Sequence, residues 1–99
     1  MRSRYTAFAL GTDAAIEYLV ATHHPDHRPR DLREGLRSSI AGVDAWEQLE
    51  VLFAEVDGER GTVEFVATFR VGRERRELRE RSDFVREDGR WFYTVGTIG

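Results

Sequence analysis

The period of the chain changes at Trp46. From there to Gly99 the chain reads as four strand-like runs joined by three tight-turn signals. The second run is the plainest. Val63, Phe65, Ala67, Phe69 and Val71 alternate with Thr62, Glu64, Thr68 and Arg70, as in a strand with one face covered. The turns fall at Asp57-Gly58-Glu59-Arg60-Gly61, at Gly72 and at Asp88-Gly89, the last a hairpin signature. Strands are expected near residues 46–57, 61–73, 76–87 and 90–97. Connections this short make the sheet antiparallel. In the third run Leu78, Glu80, Ser82 and Phe84 share one face, and Arg79, Arg81, Asp83 and Val85 the other. In the last, Trp91, Tyr93 and Val95 are expected on one face.

The first 45 residues have helical spacing instead. Ser3 to Leu10 reads as a helix carrying Tyr5, Phe8 and Ala9, ended by Gly11. Thr12 or Asp13 caps a second helix with Ile16, Leu19 and Val20 on one stripe. Pro25 should stop it near Thr22 or His23. A third helix opens at Pro29 and Asp31 and carries Leu32 and Leu36, with Gly35 weakening its interior. Ser38 to Ala45 is expected to be loop. Helices followed by a meander give an α+β domain. Sheet twist curves the strands, so helices on the concave side leave a cone-shaped cavity.

A chain of 99 residues is one domain, spanning 1–99, with a modest core. The formal net charge of -3 and the lack of a basic block argue against a general nucleic-acid binder. All 15 basic residues are arginine, which codon bias explains better than chemistry does. Without cysteine there is neither disulfide nor thiolate zinc site. No apolar run approaches the roughly 20 residues that span a bilayer, and the N-terminus lacks a signal-peptide core. The resulting expectation is a soluble cytoplasmic protein.

Three segments together resemble a known family. They are Arg2-Ser3-Arg4-Tyr5-Thr6-Ala7-Phe8, then Thr22-His23-His24-Pro25, then Glu80-Arg81-Ser82 followed by Phe84 to Trp91. In this order and spacing they are similar to the central domain of the uncharacterised, bacterial YchJ-like family. The resemblance implies the cystatin-like cone of the nuclear transport factor 2-like superfamily, in keeping with the strand pattern. It implies no reaction, because the family has no settled activity. Family members usually carry zinc-binding SEC-C motifs, for which this sequence has no cysteines. A histidine often found before Glu-Arg-Ser is here Arg79, and an arginine often found after that serine is Asp83. Roles resting on those two residues do not carry over.

The polar third strand holds the candidate chemistry. Glu80 and Ser82 point the same way as Leu78 and Phe84. With Tyr5 and Trp91, the residues Glu80, Ser82 and Phe84 are the expected pocket lining. A carboxylate in an apolar cavity can serve as general acid or base. The plainer reading, and the preferred one, is a buried ion pair of Glu80 with Arg4 or another arginine, or a bond to a tyrosine hydroxyl. Trp46, Trp91, Tyr93 and Tyr5 are an aromatic ligand wall or simply core. His23, His24 and His27 are poorly placed to converge on zinc, so neither metal nor cofactor is expected. The function expected is a small-molecule-binding or accessory domain. The alternatives are a small enzyme using Glu80 and a dimerisation module. The last rests on the first strand, where Leu49, Val51 and Phe53 alternate with Leu52, Ala54 and Val56. Either the outer sheet face pairs with a second copy, or a β-bulge turns the strand partway.

Overall fold

The computed structural model describes residues 2–98. Three helices, α1 (Arg2–Leu10), α2 (Asp13–Ala21) and α3 (Leu32–Ala41), precede four strands. These are β1 (Ala45–Asp57), β2 (Arg60–Val71), β3 (Glu74–Glu87) and β4 (Arg90–Ile98). They form one antiparallel sheet in the order β1-β2-β3-β4. A short 3-10 turn at Pro25–His27 follows α2, where proline ends helical geometry.

Each helix end has a local cause. Gly11 takes φ 63° and donates its N–H to the Ala7 carbonyl, the left-handed cap that glycine permits. A side chain there would also strike α3, since a Cβ on Gly11 would stand 2.8 Å from Ile40 Cγ2. The Thr12 hydroxyl accepts from the Ala15 N–H and caps α2. Ala15, Ile16, Leu19 and Val20 of α2 are buried against Ala7 of α1 and Leu36 of α3. Phe8, Leu32 and Ile40 pack around that cluster.

The loop expected from Ser38 does not begin there. Helix α3 continues to Ala41, because Ile40 still finds the core. Gly35 does not interrupt it. Only residues 42–44 link α3 to β1, and the Asp44 N–H already donates to Arg70 O.

Two bulges settle the double register of β1. Pairing with β2 slips between Trp46 and Gln48, and again between Val51 and Phe53. Trp46, Leu49, Val51, Ala54 and Val56 therefore lie opposite Phe69, Ala67, Phe65, Val63 and Gly61 in turn. Leu49 and Val51, then Ala54 and Val56, face the concave side in succession, as the bulge reading expects. Leu52, Phe53 and Val56 remain exposed.

A third slip changes the reading of β4. Pairing moves from Asp83–Val95 to Phe84–Tyr93, so Thr94 is the extra residue. Its hydroxyl donates to Asp83 O. Tyr93 stays on the concave face with Phe84, whereas Val95 turns outward with Asp83 and is exposed. The expected single face of Trp91, Tyr93 and Val95 is thus broken. Gly96, opposite Ser82, takes the concave position instead. At the far end Asp88 and Gly89 take φ 52° and 76°, as a hairpin turn matching strand twist requires.

Candidate cavity between the helices and the concave sheet

The helices cover only part of the concave face and leave a cavity of about 500 Å³ beneath them. Its walls are mostly apolar: Phe8, Leu32, Leu36 and Val43 from the helical side, Phe65, Ala67, Phe69 and Leu78 from the sheet. Trp46 is the hub of an aromatic group. Its ring centre lies 5.7 Å from Tyr5, 6.2 Å from Phe8 and 5.4 Å from Phe69.

Polar groups gather on the β3–β4 side. Ser82 is 1% exposed and its hydroxyl donates to Glu80 Oε2 at 2.7 Å. Glu80 and the Tyr93 hydroxyl crowd over Gly96. A Cβ at Gly96 would stand 2.5 Å from Tyr93 Oη and 2.8 Å from Glu80 Oε1, so only glycine fits between them. Burial and the neighbouring Glu80 charge push the Tyr93 phenol up to about 12, which keeps it a neutral hydrogen-bond donor.

Arg4 reaches this corner from α1. Its Nη1 donates to Leu19 O at 3.1 Å and to Thr22 Oγ1 at 2.6 Å, and its guanidinium lies 4.6 Å from the Tyr93 ring centre. A cation is favoured there, because Leu19 O belongs to the negative end of α2. Burial lowers the Arg4 pKa from its usual value, and Tyr93, Tyr18 and Glu80 oppose that effect. The arginine expected to pair with Glu80 is therefore bonded to the helix end, and Glu80 takes its hydrogen bond from Ser82.

The segment after α2 seals the outer edge of β4. Tyr93 N donates to Thr22 O and His24 N donates to Tyr93 O, a short parallel bridge. Successive residues of such a bridge face opposite ways. His23 goes into the cavity wall, its ring 5.0 Å from that of Tyr93. His24 goes to the other side, against Phe92 and bonded to Glu87. His23 Nε2 meets the His27 carbonyl at 3.0 Å. A carbonyl only accepts, so Nε2 carries the proton and Nδ1 is the acceptor nitrogen. Burial, then the Arg4 charge, holds the His23 pKa below its ordinary value. Among the described residues no three His, Asp or Glu side chains converge as a metal site would require, and no helix is long and apolar enough to cross a membrane.

Of the residues singled out in the sequence, Tyr5, Glu80, Ser82 and Phe84 line the cavity. Trp91 does not. It sits near the hairpin end of β4, beyond the helices, covering Gly61 under the Arg86 guanidinium, 5.5 Å away. Arg4, His23, Tyr93 and Gly96 complete the polar corner. Tyr93 was legible as one of an aromatic set. Nothing in a single sequence marked His23 as inward and His24 as outward, since the edge bridge decides that.

The chain has relatives throughout its length. A family model described as the YchJ middle NTF2-like domain matches residues 1–96. A UPF0225 protein of Chromobacterium violaceum is 46% identical over 101 residues, which cover 99% of this chain and 70% of that protein. A UPF0225 protein of Vibrio vulnificus is 44% identical over 100 residues, covering 99% of this chain and 57% of that protein. The chain thus spans little more than half of some relatives. The solution structure of a SEC-C motif containing protein from Rhodopseudomonas palustris matches with a TM-score of 0.85 at 39% identity, over 98% of this chain and 73% of that one. The helix-then-meander fold, the cone beneath the helices and these matches together make the chain a member of the YchJ family, corresponding to its middle NTF2-like domain.

Proposed function

We propose that this domain binds a small molecule in the cavity between its helices and the concave face of its sheet. One observation carries the reading. A space of about 500 Å³, walled by aromatic and aliphatic side chains, has polar groups from α1, β3 and β4 converging at one corner. Ligand pockets have this size and this mixture of broad apolar wall and few polar groups. Serine and carboxylate are costly in a small core unless the fold uses them. A thermal-shift screen of metabolites tests the reading, since a ligand selective for the folded state raises the unfolding temperature. Ala67 is 1% exposed and forms part of the cavity floor. At least one compound should stabilise the wild type and fail to stabilise Ala67→Leu, which fills the space. A screen without hits, or hits that stabilise both proteins equally, overturns the proposal.

The Glu80 carboxylate beside the neutral Tyr93 hydroxyl supports a second reading, acid–base catalysis with Glu80 as the proton carrier. In that case Glu80→Gln should still bind the molecule and lose turnover. Turnover that survives Glu80→Gln removes this reading.

A further inference from the structure

The cavity has two chemically different ends. On the β1–β2 side Trp46 is ringed by Tyr5, Phe8 and Phe69. On the β3–β4 side stand Glu80 and Tyr93. The register keeps the ends apart. Trp46 lies opposite Phe69 and Glu80 opposite Phe65. At ~3.3 Å per residue, that is roughly 13 Å of strand between them. A molecule touching both ends is therefore elongated, with a ring-sized body at one end and a polar group at the other.

The polarity of that group follows from what the corner offers. Glu80 Oε2 already accepts from Ser82, and Oε1 faces the space over Gly96. A carboxylate has about four acceptor positions, so Ser82 leaves most of them unused. Arg4, the cation at this corner, is tied by Nη1 to Leu19 O and Thr22 Oγ1 and lies on the Tyr93 ring. It also lines the cavity, so the corner presents a cation and an anion together and favours neither sign of ligand charge. A ligand carboxylate here would meet the like charge of Glu80 at low dielectric. An ammonium group would meet Arg4. A neutral N–H or O–H meets an acceptor.

Resting on the binding reading above, we infer that the cavity takes a neutral, ring-containing molecule, its ring against Trp46 and its polar end donating a hydrogen bond to Glu80. The test uses three bicyclic probes of similar size: 2-naphthol, which donates; quinoline, which only accepts; and 2-naphthoate, an anion. The chain has two tryptophans, one in the cavity wall and one outside it. Their indole N–H resonances in a ¹⁵N-labelled sample report binding, with Trp91 as the internal control. The expected result is that 2-naphthol moves the Trp46 signal and binds about tenfold or more tightly than either other probe, the equivalent of one net hydrogen bond. Glu80→Gln, which adds a donor, should narrow that gap. If quinoline or 2-naphthoate binds Trp46 as tightly as 2-naphthol, the inferred polarity is wrong while the binding reading stands. If no probe moves Trp46, or only Trp91 responds, the inferred ligand class is wrong, and the metabolite screen alone decides the binding reading. The wild-type order decides the matter even if Glu80→Gln does not fold.

Discussion

Arg4 joins three parts of the fold, and its removal has a calculable cost. The residue is 9% exposed on α1, bonds Leu19 O and Thr22 Oγ1 at the end of α2, and lies over Tyr93 of β4. Arg4→Met keeps most of the apolar stem and removes the guanidinium. Hydrogen bonds to a charged group contribute ~1.5–3 kcal/mol each, and the contact with the Tyr93 ring ~0.5–2 kcal/mol. Two effects reduce that sum. Thr22 Oγ1 keeps its bond to Tyr18 O at 2.8 Å, so it is not orphaned. Methionine also avoids desolvating a cation, which costs several kcal/mol. What stays uncompensated is Leu19 O. The main-chain N–H of His23 donates to Val20 O, which leaves Leu19 O with only a 3.4 Å contact from Thr22. A buried carbonyl stripped of its donor costs ~1–3 kcal/mol.

The net expectation for Arg4→Met is a loss of ~2–4 kcal/mol, a large share of a typical ~5–15 kcal/mol. In a domain of this size ~1 kcal/mol lowers the melting temperature by ~4–8 °C, so the variant should melt ~8–30 °C earlier. Urea unfolding followed by circular dichroism gives the free energy directly, provided the slope is unchanged. Arg2→Met, exposed on the same helix, is the control and should stay within ~0.5 kcal/mol of wild type. Arg4→Lys should fall between, since an ammonium can donate to both acceptors but lacks the planar face that lies on the Tyr93 ring. The reasoning fails if Arg4→Met unfolds within ~0.5 kcal/mol of wild type, or if Arg2→Met loses as much.

Gly96→Ala should cost ~1–3 kcal/mol, because its Cβ would press on the Tyr93 hydroxyl and the Glu80 carboxyl; unaltered stability would show that the corner is loosely packed. The His23 pKa lies below its ordinary 6.5 in the folded state, so the unfolded chain binds the extra proton and stability falls as pH drops below about 6.5. Exposed Glu17, Glu47 and Glu59, lowered by arginine hydrogen bonds, act in the same direction only near and below 4.5. Between those values His23→Gln, which can still donate to His27 O, should flatten the pH dependence; an unchanged slope assigns it to another group. Arg86→Ala should leave the urea unfolding midpoint nearly unchanged, its bonds to Glu59 being exposed to solvent; a clear downward shift would mean that its cover over Trp91 matters more than the ion pair.

The parts of this fold legible in the sequence are those set by local periodicity. The strict alternation of Val63 to Val71 placed β2, and Asp88-Gly89 placed the last hairpin, because both patterns encode geometry within a few residues. The inward aim of Glu80 and Ser82 followed from the same period. What the sequence left open depends on pairing partners that alternation does not specify. A bulge inserts one residue without any composition signal, and each of the three slips re-aims everything beyond it. The one at Leu52 returns Ala54 and Val56 to the face that carries Leu49 and Val51. The one at Thr94 sends Val95 outward and brings Gly96 under Glu80 and Tyr93. The polar corner is therefore a product of a register shift. A strand running Trp91, Tyr93, Val95 without interruption would put a valine where the glycine now stands, and no room would remain for the carboxyl and the phenol together. The same logic explains Arg4. Helical spacing pointed to Tyr5, Phe8 and Ala9, whereas α1 buries Arg4 and Ala7, and the partners of Arg4 are a helix end and a ring brought together only when α2 and β4 are bridged at Thr22–Tyr93. The bridge that seals the sheet edge thus also orders the groups that give the cavity its chemistry.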